Sequence, residues 1–130
     1  LCYGAMVAPA LRAADILHSE HGWEVGVVNA RFAKPLDRAK LRELLSAGQA
    51  VVTCEDHAAV GGFGSAVAEA AIADGLPTDR LAVMGLPDRF IAQATRAEQL
   101  TETGLDATHL AERMHSLLRA PHPASTQTPS

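Results

Sequence analysis

Glu55, Asp56 and His57 stand at the end of the apolar run Ala50-Val51-Val52-Thr53-Cys54, and Gly61-Gly62-Phe63-Gly64 follows them. Two neighbouring carboxylates could work as a general acid and base, because like charges held close raise one pKa. Adjacent residues at a strand end point to opposite faces, however, which separates the two side chains. The alternative is a carboxylate that accepts hydrogen bonds from the amides of Gly61 to Gly64, or that pairs across an interface. Glycines at a helix start could also offer amide N–H groups to a phosphate. No Lys-Ser/Thr follows them, so this is not a Walker loop, and the two carboxylates just before it would repel an anion. The interface or structural reading is therefore favoured for Glu55, Asp56, Gly61, Gly62, Phe63 and Gly64. At Gly62 a side chain is expected to act through assembly and not through chemistry.

His57 could belong to a nucleophile or metal site, but no His-x-x-x-His or Cys-His spacing accompanies it. The other histidines are scattered over helix ends and the tail. Arg31 with Lys34, opposite Asp37, reads as a structural ion pair or an interface clamp rather than a grip on substrate. Cys2 and Cys54 form no CxxC pair, and each sits in an apolar, strand-like run. They read as reduced, buried thiols that pack as small hydrophobes. Taken alone, these residues do not make an active site, so no catalytic, cofactor-binding or metal residue is assigned.

The composition narrows the classes further. The chain of 130 residues carries 11 Lys+Arg against 15 Asp+Glu, a formal net charge of −4, with 48% apolar residues. That is the balance of one soluble globular domain. The acidic excess argues against nucleic acid, which needs clustered Lys and Arg. No apolar run approaches the ~18 residues of a membrane span, and no signal-peptide pattern opens the chain. A cytoplasmic location is the default expectation.

The elements that must position these residues follow from periodicity and punctuation. Leu1 to Tyr3 reads as a first strand, truncated because Gly4 follows so soon. Val7, Leu11, Ala14 and Leu17 recur at helical spacing up to His21, with Gly22 as the stop. Trp23 to Val28 reads as a strand buried on both faces, and Pro35 keeps Lys34 out of the helical region. Asp37 caps or opens a helix through Leu45 that Gly48 ends. Ala50 to Cys54 is the clearest strand. A helix is expected over Ser65 to Asp74, and a short strand over Arg80 to Met84, stopped by Gly85 and Pro87. A short helix over Arg96 to Thr103 and a last amphipathic helix capped by Asp106 complete the domain, which spans 1–120. From Pro121 to Ser130 the Pro, Ser and Thr composition predicts a disordered tail. Strands alternating with helices predict an α/β fold: three αβα layers around a mostly parallel, doubly wound sheet, in strand order 2-1-3-4.

Three segments together resemble one family. They are Arg31-Phe32-Ala33-Lys34-Pro35-Leu36-Asp37, then Glu55-Asp56 with Gly61-Gly62-Phe63-Gly64-Ser65, then Leu86-Pro87-Asp88-Arg89-Phe90-Ile91. Their order and spacing resemble the carboxy-terminal domain of the 1-deoxy-D-xylulose-5-phosphate synthases, in the transketolase-like superfamily. Arg96 to Leu100 and Gly104 to Asp106 extend the likeness, and Ala94 departs from it where such sequences often carry Gly. The Gly-Gly-Phe-Gly part alone would equally suit a transketolase or the beta subunit of a 2-oxo-acid dehydrogenase. A stand-alone flavodoxin-like binding module is the remaining alternative.

The resemblance implies a transferase that condenses pyruvate with glyceraldehyde 3-phosphate, feeding isoprenoid and thiamine synthesis. It implies thiamine diphosphate and Mg²⁺, held by two preceding domains and not by this one. It also implies that this domain supports a homodimer and its domain contacts, and that the chain by itself is inactive.

Overall fold

A computed structural model describes residues 1–121; the tail expected to be disordered lies outside the described residues, apart from its first residue, Pro121. After a turn of 3₁₀ helix at Gly4–Met6 come α1 (Val7–His21), α2 (Arg38–Ser46), β1 (Val51–Ala58), α3 (Phe63–Ala73), β2 (Leu81–Leu86), α4 (Arg96–Glu102) and α5 (Ala107–Arg119).

Local chemistry sets most of these limits. Gly22 closes α1 in the left-handed conformation (φ 68°), its amide returning to the His18 and Leu17 carbonyls. The Asp37 and Asp106 side chains accept the Lys40 and His109 amides at the starts of α2 and α5. Thr95 and Glu98 form a reciprocal capping box at the start of α4. Each such cap satisfies a backbone donor that the helix itself leaves free.

The sheet is parallel and follows the expected order. Cys2 pairs with Asn29 on one side and with Cys54 of β1 on the other, and β1 pairs with β2 from Val51↔Leu81 onward. Helices cover both faces. On one, α1 and α5 enclose Cys2, Met6, Leu17, Cys54 and Leu110. On the other, α2 and α3 enclose Leu41, Leu45, Val51, Phe63 and Val67. This is the three-layer αβα arrangement, and the low aromatic content lets the helices sit close to the sheet.

Several expectations need correction. Trp23 to Val28 forms no ladder and its valines are half-buried, because only Leu1 to Tyr3 lies beside it and the pairing reduces to Asn29. Leu11 faces out, 52% exposed, because α1 presents Met6, Ala13 and Leu17 to the core instead. β1 continues past Cys54 through Ala58, with an irregularity between those residues, so Glu55, Asp56 and His57 lie inside the strand. β2 runs through Gly85 to Leu86. There the backbone of β1 comes so close that a Cβ on Gly85 would stand 2.9 Å from the Ala59 Cα. Glycine at this position permits the pairing and does not end it. Finally, α3 starts at Phe63, two residues before the expected Ser65.

Candidate functional site

The loops after parallel strands gather at the carboxyl ends of the sheet, where α/β folds place their ligands. Glu55 lies there on the α3 face, only 1% exposed. Its Oε2 accepts the Phe63 amide at 2.7 Å and its Oε1 the Gly64 amide at 2.8 Å. Because α3 begins at Phe63, these are two of the N–H groups that the first helical turn leaves unpaired. A carboxylate at that position meets the positive end of the helix dipole.

Two earlier possibilities fall with this geometry. The amides that a phosphate would need are already taken by an anion, so the phosphate reading of the glycine loop is corrected. Acid/base cooperation between Glu55 and Asp56 is also corrected, because the side chains part to opposite faces. Asp56 turns to the other side of the sheet, where its Oδ2 accepts from Arg96 at 2.8 Å.

The loop between β1 and α3 is tied down by short contacts. Ser65 Oγ donates to the Ala59 carbonyl at 2.6 Å and accepts the Gly61 amide at 3.2 Å. Gly61 is left-handed (φ 73°), whereas Gly62 is extended (φ −89°, ψ −163°). A Cβ on Gly62 would strike the Ala58 carbonyl and stand 2.5 Å from Glu55 Oε2. The need for glycine at 62 therefore arises inside the domain, which corrects the expectation that it acts through assembly. Gly64 is similarly enclosed: a Cβ there would meet Val83 and stand 2.6 Å from Thr53 Oγ1. Phe63 is a core residue, stacked on Tyr3 with ring centroids 5.3 Å apart. His57 is exposed, its ring 6.0 Å from Tyr3.

The basic segment is placed differently. Arg31 is left-handed (φ 59°), held by its own amide on Asn29 Oδ1 at 3.0 Å. Neither Arg31 nor Lys34 forms a salt bridge among the described residues. Asp37 is committed to the α2 cap, so the internal ion pair with Arg31 and Lys34 is corrected. Both cations stay exposed, and so does Phe32 at 67%. Val60 and Phe90, in the loops after β1 and β2, are 77% and 100% exposed.

Sequence reasoning missed Arg96 as the partner of Asp56, since nothing local signals a pair 40 positions apart. The capping box at Thr95 and Glu98 was readable from its spacing. Among the described residues no three His, Cys, Asp or Glu side chains are grouped to hold a metal ion. Nor is any described helix long and apolar enough to cross a membrane.

Comparison with known proteins follows the same lines. The family model described as "Transketolase, C-terminal domain" matches residues 1–110. A 1-deoxy-D-xylulose-5-phosphate synthase of Synechococcus sp. (strain JA-2-3B'a(2-13)) is 47% identical over 120 residues, covering 92% of this chain and 18% of that protein. One from Geobacillus thermodenitrificans (strain NG80-2) is 42% identical over 118 residues, covering 91% of this chain and 19% of that protein. The chain thus spans under a fifth of the length of these curated relatives. A solved structure titled "Split gene transketolase, inactive beta4 tetramer" superposes with a TM-score of 0.78 at 36% identity, covering 90% of this chain and 37% of that one.

Proposed function

The chain belongs to the transketolase C-terminal domain family, and from that premise we propose that it serves as the third domain of a 1-deoxy-D-xylulose-5-phosphate synthase. The observation that carries this reading is the 47% identity, over 92% of the chain, to a curated protein of that name. In the longer enzyme the reaction joins pyruvate to glyceraldehyde 3-phosphate with loss of carbon dioxide, at the entry to isoprenoid synthesis.

The cofactors implied are thiamine diphosphate and Mg²⁺, and the described residues of this chain do not fit them. Glu55 is saturated by helix amides, and Asp56 is paired with Arg96. A Mg²⁺ site needs free oxygen ligands in near-octahedral array. We assign the cofactors to the remaining part of the enzyme.

This chain's own task is contact. Arg31 and Lys34, without internal partners among the described residues, and the exposed Phe32, Val60 and Phe90 lie in loops at the carboxyl end of a parallel sheet. Bare aromatic rings beside unpaired cations have the composition of an interface, where aromatics and Arg are enriched. They face the other domains or the second subunit of a homodimer. The Glu55 clasp on α3 keeps the loop between β1 and α3 in one shape beneath them.

The test is to purify the longer enzyme containing this chain and supply pyruvate with glyceraldehyde 3-phosphate. Formation of the deoxyketose phosphate with carbon dioxide is expected, and the 130-residue chain alone should give none. Turnover of ketose phosphate donors, with pyruvate inert, would assign the chain to a transketolase instead.

A further inference from the structure

Cys2 and Cys54 occupy directly facing positions on neighbouring parallel strands, so their side chains leave the sheet on the same face. Their sulfurs are 3.1 Å apart, and the residues are only 2% and 3% exposed. We propose that these thiols form a peroxide-responsive pair that closes reversibly to a disulfide, tying the first strand segment to β1.

Three features of the site support it. First, the two residues are brought together across a sequence separation of 52 by strand pairing alone, so the backbone already holds them in register. A disulfide needs sulfurs about 2.05 Å apart, and only a small rotation of the side chains separates this geometry from that one. Second, a cavity of 50 Å³ adjoins them, lined by both cysteines with Leu1, Val25, Gly26 and Val27. A water molecule needs roughly 10–15 Å³ by this measure, so hydrogen peroxide is admitted while a peptide disulfide such as oxidised glutathione is not. Third, the thiols are unequal. The Cys54 S–H donates to the Cys2 sulfur and holds the Cys2 thiol down to about 7, against burial and with some help from the Leu1 ammonium. The same hydrogen bond, reinforced by burial, pushes Cys54 well above the ordinary thiol range. Cys2 is therefore the nucleophile and Cys54 the resolving thiol.

The chemistry balances without any further reagent. The Cys2 thiolate attacks one peroxide oxygen; the O–O bond breaks, Cys2 becomes a sulfenic acid, and hydroxide leaves and takes a proton to form water. The Cys54 sulfur then attacks the Cys2 sulfur. The S–S bond forms as the S–O bond breaks, and the hydroxide released takes the Cys54 proton as a second water. In sum, two thiols and one peroxide give one disulfide and two waters. A thiol reductant reverses the change by exchange.

The experiment treats the full chain with hydrogen peroxide under native conditions, with circular dichroism as a check on folding. Two titratable thiols should fall to none. The mass should drop by two hydrogens, peptide mapping should recover Cys2 joined to Cys54, and dithiothreitol should restore both thiols. In Cys54→Ala the resolving thiol is gone, so Cys2 should gain one oxygen that dimedone traps. Intact thiols in the folded chain that oxidise only after unfolding in urea would overturn the proposal. So would uptake of oxygen without loss of hydrogen in the unsubstituted chain, or a bridge found only between molecules. Should Cys54→Ala fail to fold, the peptide map of the unsubstituted chain decides alone.

Discussion

Glu55 and Gly62 share a single space: a Cβ on Gly62 would stand 2.5 Å from one carboxylate oxygen and 2.7 Å from the other. The carboxylate can grip the first turn of α3 only because position 62 has no side chain. Gly62→Ala should therefore lower stability by about 1–3 kcal/mol, the usual cost of forcing a methyl group into a filled site. Its cost should shrink when combined with Glu55→Ala, which vacates the space, because contacting residues are not additive. Urea unfolding of the two single variants and the double variant measures that coupling.

Replacing the Glu55 carboxylate by its amide tests the clasp itself. Glu55→Gln keeps the size but leaves one oxygen for two amides, with an NH₂ facing the other donor. A loss of about 1–3 kcal/mol is expected, as for a buried hydrogen bond broken on one side. The Phe63 and Gly64 amides should also exchange faster with deuterium, which hydrogen exchange by NMR would register.

The caps should be worth less and behave locally. Asp106→Ala and Thr95→Ala each remove a side chain that accepts a helix amide. Each should cost about 1 kcal/mol in thermal or urea unfolding.

His115 gives the domain a pH dependence of definite sign. Its ring stacks on His21 at 4.1 Å and lies 5.0 Å from Trp23. Burial, then the charges of His21 and Arg119, hold its pKa below the ordinary value, with Glu20 acting weakly the other way. The unfolded chain then binds this proton more readily than the folded one. Stability from this group is complete above the ordinary histidine pKa of ~6.5, and it is lost as pH falls from there towards the folded value. The difference in unfolding midpoint between pH 8 and pH 5 should be smaller in His115→Gln than in the unsubstituted chain.

Phe90, fully exposed, separates contact from stability. Phe90→Asp should change the stability of this chain by less than about 0.5 kcal/mol, as for an uncommitted surface site. In the longer enzyme it should weaken assembly, which sedimentation over a dilution series would reveal. Unchanged assembly would remove Phe90 from the proposed interface.

What the sequence by itself determined is what short-range chemistry controls. Helix starts at Asp37, Thr95 and Asp106, the stop at Gly22, and the alternation that forces a parallel sheet depend on residues within a few positions of each other. The segments Arg31 to Asp37 and Leu86 to Ile91 carried the family for the same reason, being contiguous. The tertiary structure decided which of two plausible partners each side chain took. Glu55 could have faced a substrate, and only the start of α3 at Phe63 committed it to the Phe63 and Gly64 amides. Asp37 went to a cap and left Arg31 and Lys34 bare, while Asp56 found Arg96. Leu11 matched the apolar period of α1 yet turned outward, because the rotation of a helix on a sheet is set by all its contacts together. Cys2 and Cys54 looked like unrelated thiols until strand pairing brought their sulfurs to 3.1 Å. Contacts across long separations depend on chain topology, and no local pattern of residues encodes which segments the sheet places side by side.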